Sequence, residues 1–194
     1  MAYHLEKHPR VKAVINFVPI LLEQLEDYSD QFSQGTPRDP LLRLLITPDL
    51  DSISIEDRML ILNQCFQSNH NTMLKPYPTY QHLRDLYEVL MGYGDKEMSY
   101  VSGQYLADLL TWYHLAWTGE SVRRNCELVG KLMQQGKSFT YSDRKQLFEL
   151  IGMLIRDLIP RYRKLAVSGQ IELSTTPHYH PLSPLLIDFN STYD

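Results

Sequence analysis

Val11-Lys12-Ala13-Val14-Ile15-Asn16-Phe17-Val18 is β-branched and mostly apolar. It reads as a strand over residues 11–18 buried on both faces, and such strands belong to parallel sheets. Pro19 follows directly and suits the first turn of a helix that carries Leu21, Leu22, Leu25 and Tyr28 at three-to-four spacing. Gly35-Thr36-Pro37 ends that helix, so the segment is the first half of a βαβ crossover. The next strand-like segment arrives only at Gln170-Ile171-Glu172-Leu173-Ser174-Thr175.

Between the two strands lies a large helical insertion, about residues 39–168. Asp39 to Leu45 reads as a short helix closed by Thr47-Pro48, and Ser54-Ile55-Glu56-Asp57 as a capping signal before Met59, Leu60, Leu62 and Phe66. Lys75-Pro76-Tyr77-Pro78 breaks the chain before a helix over Tyr80 to Leu90, and Gly92-Tyr93-Gly94-Asp95 reads as a loop. Ser102 to Trp117 is apolar almost all round, the mark of a helix buried on most faces. Tyr141 to Ser168 carries Leu147, Leu150, Ile151, Leu154, Leu158, Tyr162 and Leu165 on one stripe, with Pro160 as an expected kink and Gly169 as the stop. At 1.5 Å per residue such a helix is roughly 40 Å long.

Two parallel strands cannot form an independently stable sheet. The chain opens at Met1 within what reads as the last turns of a helix, and it closes on Leu185-Leu186-Ile187-Asp188-Phe189 and the following Asn190 to Asp194 without a polar tail. Together these features read as an internal slice of a larger α/β enzyme.

The composition is globular: 194 residues, 43% hydrophobic and 22% charged, with a net charge of −4. Disorder would need fewer apolar residues, and a collagen-like chain far more Gly and Pro. A pI near 6.0 argues against a nucleic-acid protein. The densest basic cluster, Arg161, Arg163 and Lys164, suits the C-terminal turns of a helix. Cys65 and Cys126 lack CxxC spacing, which points to a reducing compartment and away from a disulfide framework or zinc knuckle. No apolar run approaches the roughly 20 residues of a membrane span, and the N-terminus lacks signal-peptide blocks. A cytoplasmic protein without membrane or nucleic-acid partners is expected.

In the second strand, Ile171, Leu173 and Thr175 face one way while Glu172, Ser174 and Thr176 face the other. In a barrel, side chains near the C-terminal strand ends meet the substrate, although Glu172 could equally sit at a solvated strand start or pair with a buried Arg. Thr176-Pro177-His178-Tyr179-His180-Pro181 sets aromatic and imidazole groups in a proline-braced loop, a composition suited to sugar binding. His178 and His180 could also ligate a metal, but no third ligand stands at a known spacing and HExxH is absent. Asn16 interrupts an apolar strand and must find partners, by holding a loop or by satisfying a neighbouring backbone group. The run Trp112-Tyr113-His114-Leu115-Ala116-Trp117 reads as core rather than as a sugar platform. His4, His8, His70 and His82 form no pattern. GxSxG, GxGxxG and Gly-rich phosphate loops are absent, which argues against serine-hydrolase and nucleotide chemistry.

Val14-Ile15-Asn16-Phe17-Val18-Pro19 with Leu21-Leu22-Glu23-Gln24-Leu25-Glu26-Asp27-Tyr28, and Gly169-Gln170-Ile171-Glu172-Leu173 with Thr175-Thr176-Pro177-His178-Tyr179-His180-Pro181-Leu182, resemble glycoside hydrolase family 57 over essentially the whole chain. The resemblance implies an α/β fold: an incomplete (β/α)7 barrel with a large helical insertion, predominantly helical by residue count. It implies a retaining enzyme that hydrolyses or transglycosylates α-glucans or maltooligosaccharides through a glutamate nucleophile and an aspartate acid/base. The family's His-rich first motif and both catalytic carboxylates have no counterpart here, so no catalytic residue is expected within the chain, which should be inactive without the remainder of its catalytic domain. Glu172 and His180 match polar positions of the second motif and would shape the sugar subsite, with Tyr179, His178 and Asn16 as further substrate-binding candidates. No cofactor is implied.

Two other readings remain at this point. A self-contained helical interaction module would dock a partner through the aromatic helix at Trp112 to Trp117. A metal-dependent deacetylase of related barrel architecture would use His178 and His180. Open sheet edges would favour the enzyme slice; a closed core with no orphan edge would favour the module.

Overall fold

The computed structural model describes residues 1–92, 100–179, 187, 188 and 190. The loop read at Gly92-Tyr93-Gly94-Asp95 therefore lies, past Gly92, outside the described residues. So do His180 and Pro181. The chain is predominantly helical with one small parallel sheet, and it divides into two compact units, Met1–Gly35 with Ile151–Asp194, and Thr36–Leu150.

The first unit holds α1 (Ala2–Lys7), β1 (Ala13–Phe17), α2 (Pro19–Gln34), the C-terminal part of α9 (Tyr141–Val167) and β2 (Ile171–Thr175). Pro19 occupies the first turn of α2, and Gly35 ends it in the left-handed region at φ 68°, with its N–H donating to the Phe32 carbonyl. The helix α9 runs unbroken through Pro160, and Gly169, at φ 67°, turns the chain into β2. The two strands pair in parallel, as the crossover reading requires. Ala2, Leu5, Leu165 and Ile171 form the buried cluster, with Ala13, Ile15, Tyr162 and Ala166 packed against it.

Burial of the strand on both faces, expected from its composition, does not occur among the described residues. The strand is shorter, Ala13–Phe17, and Val14 is 64% exposed. Apolar character states that a face can be buried; it does not supply the element that covers it, and here the cluster beneath Ala13 and Ile15 covers only one face.

The second unit contains α3 (Pro40–Leu45), α4 (Ile55–Gln64), a π-helical turn at His70–Leu74, α5 (Pro78–Met91), α6 (Gly103–Trp117), α7 (Glu120–Asn125), α8 (Glu127–Gln135) and the first part of α9. The caps follow the sequence: Asp39 accepts from the Leu42 N–H, Ser54 from Asp57 and Ser102 from Tyr105. The helix α6 packs against α3, α4 and α5, and Leu106, Leu109, Leu110 and Leu115 are fully buried. Of the run read as core, Trp112, Leu115 and Ala116 are buried, with the Trp112 indole N–H donating to the Gly136 carbonyl at 2.6 Å, but Trp117 at the helix end is 57% exposed. Arg58, Asp108 and Arg144 are buried charged residues of this unit. Asp108 accepts from the Ser138 and Phe139 backbone N–H groups at 3.0 and 2.9 Å.

Candidate functional site

The strand register sets Ala13 opposite Ile171, Val14 opposite Glu172, Ile15 opposite Leu173, Asn16 opposite Ser174 and Phe17 opposite Thr175. Alternation then sorts these residues into two faces. Ala13, Ile15, Phe17, Ile171, Leu173 and Thr175 share one face; α1 and α9 pack against Ala13, Ile15 and Ile171, Phe17 meets the Tyr162 ring edge-on at 5.0 Å, and Leu173 and Thr175 are exposed. Val14, Asn16, Glu172 and Ser174 share the other, and all four are exposed. Each strand has a single partner among the described residues, so the outer edge of each stays open.

On the open face, Ser174 Oγ donates to Asn16 Oδ1 at 3.1 Å. Asn16 therefore meets a side-chain hydroxyl rather than a backbone group. Glu172 lies one pleat nearer the N-terminal end of β2, opposite Val14, and is solvated rather than paired with a buried Arg. At the C-terminal end, Thr175 Oγ1 donates to the Phe17 carbonyl at 2.8 Å and ties the two strand ends together. Amide, hydroxyl and carboxylate on one face supply both donors and acceptors, the complement of a polyol surface.

Beyond β2, His178 Nε2 donates to Glu23 Oε1 at 2.5 Å, joining the outgoing segment to the first turns of α2. Tyr179 is 80% exposed and packs its ring against the His178 imidazole at 4.3 Å and 80°. The structure thus places Asn16 and Glu172 on one sheet face and His178 with Tyr179 in the segment after β2; His180 lies outside the described residues.

Two participants escaped the reading of the sequence, Ser174 as the partner of Asn16 and Glu23 as the partner of His178. Alternation already placed Ser174 on the face of Glu172, so that contact needed only the strand register. Nothing in the local pattern around Glu23 couples it to a residue so far along the chain.

Among the described residues no group of three or more His, Cys, Asp or Glu is placed to hold a metal ion. No described helix is long and apolar enough to cross a membrane.

Compared with known proteins, the chain matches the family model of Glycosyl hydrolase family 57 over residues 3–193. No curated protein and no solved structure matches it. With nearly every residue covered by that match, the two strand motifs included, the chain belongs to glycosyl hydrolase family 57.

Proposed function

We propose that residues 1–194 form part of the α-glucan cleft of a retaining glycosidase or transglycosylase, as an incomplete (β/α)7 barrel in which strand 11–18 and strand 170–175 flank a helical insertion over about residues 39–168. Family membership supports a glycoside hydrolase or transglycosylase in general. The observation that carries the finer reading is the asymmetry of the sheet. The buried cluster covers Ala13, Ile15 and Ile171 on one face, with Leu173 and Thr175 exposed further along β2, while Asn16, Glu172 and Ser174 stand open on the other, with both outer strand edges unpaired among the described residues. In a barrel that open face is the interior, and side chains toward the C-terminal strand ends meet substrate.

In this reading Glu172, Asn16, His178, Tyr179 and His180 bind sugar. The glutamate that attacks the anomeric carbon and the aspartate that protonates the leaving oxygen come from further strands of the same catalytic domain, about 5–5.5 Å apart as retention requires. The chain by itself then has no turnover. Of the aromatic helix on which a helical interaction module would rest, Trp112 is buried and hydrogen-bonded inside the second unit, while Trp117 is 57% exposed.

The test is maltooligosaccharide release from amylose by this chain beside a version extended at both ends through the neighbouring strands. Activity confined to the extended protein is the expected result. Turnover by the chain alone would place a nucleophile within these residues and overturn the assignment.

A further inference from the structure

We propose that Glu23 is a positioning residue for the segment after β2, fixing the His178 ring so that Tyr179 is presented at the C-terminal end of the sheet. The proposal rests on the α-glucan reading of that end for its consequence, though not for its geometry.

The contact links two chain exits. Glu23 lies early in α2, which Pro19 starts directly after β1, and His178 lies three residues past the end of β2. One short hydrogen bond, Nε2 to Oε1 at 2.5 Å, therefore holds the peptide leaving one strand against the helix leaving the other. Hydrogen bonds to an ionised carboxylate are about twice as strong as neutral ones, enough to select one geometry for a short segment.

The same contact selects the tautomer. His178 Nδ1 is buried and has no partner among the described residues. A proton there would be a buried, unpaired donor, whereas a proton on Nε2 meets Glu23. The imidazole is thereby fixed in orientation, and the Tyr179 ring stands edge to face with it. Tyr179 is otherwise open to solvent. An exposed aromatic ring that must stack on a sugar loses rotamer freedom on binding, and a ring ordered beforehand by a neighbour loses less. Glu23 acts on the ligand through two intermediaries and touches no sugar itself.

The test uses the protein extended at both ends through the neighbouring strands, with two readouts, imidazole ring-nitrogen NMR of His178 and the Kd of maltoheptaose by titration. Wild type is expected to show a single Nε2–H tautomer. Glu23→Ala is expected to give a mixed tautomer spectrum and up to about tenfold weaker maltoheptaose binding, the cost of ordering one side chain on binding. Glu23→Gln, which keeps an acceptor oxygen, should restore the tautomer and bring Kd back to within about twofold of wild type. An unchanged tautomer and Kd in Glu23→Ala would overturn the proposal. If Tyr179→Ala weakens binding while Glu23→Ala leaves it alone, the sugar site stands and the positioning role falls. If wild type binds no maltoheptaose, the glucan reading fails at this segment, and the tautomer comparison still decides whether Glu23 orients the ring.

Discussion

Ser174 and Asn16 meet side chain to side chain across adjacent strands, hydroxyl to amide oxygen at 3.1 Å, on the face of the sheet that no described helix covers. A one-residue slip in register would turn either side chain to the opposite face. The pair therefore marks the register from the open side, as Ile171 against Ala13 does from the packed side.

Because both groups are exposed, the bond should matter more for the shape of the face than for stability. Ser174→Ala is expected to cost no more than about 1 kcal/mol in urea unfolding, the net worth of an ordinary hydrogen bond. A double-mutant cycle with Asn16→Ala should return a coupling of about 0.5 kcal/mol or more. Strict additivity of the two substitutions would show that the hydroxyl and the amide do not act together.

Arg161 and Glu6 form a two-pronged pair, Nε to Oε1 at 2.8 Å and Nη2 to Oε2 at 2.6 Å, joining α9 to α1. The hydrogen bond from Arg161 holds the Glu6 carboxyl below its ordinary value of 4.5. A depressed native pKa means stability that is present above that ordinary value and is lost as pH falls through the lower native one. Both side chains are about one-third exposed, so solvent screening limits the contribution to about 1 kcal/mol at most. Wild type should exceed Glu6→Gln by that margin in urea unfolding at pH 7, and the two curves should converge as the pH falls from the ordinary 4.5 through the lowered native value. A gap that persists into acid would assign the effect to packing.

The legible part of this molecule was local. Pro19 starting α2, Gly35 stopping it, and the caps at Asp39, Ser54 and Ser102 act within one or two turns, so a reading of neighbours along the chain recovers them. The parallel pairing of β1 with β2 followed from their composition and the helix between them. The exposure of Val14 did not, because a valine carries the same signal whether or not another layer covers it. The site divides in the same way. Glu172, Asn16, His178 and Tyr179 stood out by residue type and alternation, whereas Glu23 meets His178 only once the chain has closed a long loop. Arg161, read as a terminal helix cation, proved to be the partner of Glu6, a contact that no spacing rule along one helix could supply.

Gly152 in α9 is a close-approach glycine. A Cβ there would stand 2.7 Å from Cδ1 and 2.8 Å from Cγ of the Phe32 ring. Helix propensity alone would favour Ala by about 1 kcal/mol. Phe32 is buried, however, and overpacking typically costs about 1–3 kcal/mol, so the clash should win. Gly152→Ala is expected to lower the melting temperature, and adding Phe32→Leu to it should recover part of the loss. A stabilised single variant would mean that the ring moves aside freely.

Arg144, 3% exposed, donates to the carbonyls of Leu45 and Thr47 at 2.8 Å and of Pro48 at 3.1 Å, gathering the chain that leaves α3. Removing the guanidinium strands several carbonyls without donors, at about 1–3 kcal/mol for each that water cannot reach. Arg144→Ala is expected to destabilise the protein by about 3 kcal/mol or more. Arg144→Lys should recover only a fraction, since an ammonium lacks the planar fork that reaches these carbonyls together. A lysine variant with wild-type stability would show that charge rather than geometry is what this position requires.

Glu172 separates function from folding most cleanly. It is exposed, near the N-terminal end of β2 on the open face, and it supports neither the buried cluster nor a strand-to-strand side-chain bond. Glu172→Gln keeps its size and its amide oxygen and should shift stability by no more than about 0.5 kcal/mol. On the proposed cleft reading, in a protein extended through neighbouring strands the same substitution is expected to lower amylose turnover by about tenfold or more, because the carboxylate proposed to bond sugar hydroxyls is replaced by a weaker acceptor. Comparing kcat with kcat/KM then locates the loss: an equal fall in both marks a contact made in the transition state, whereas a rise in KM alone marks ground-state binding. Wild-type kinetics in Glu172→Gln would remove this residue from the proposed cleft.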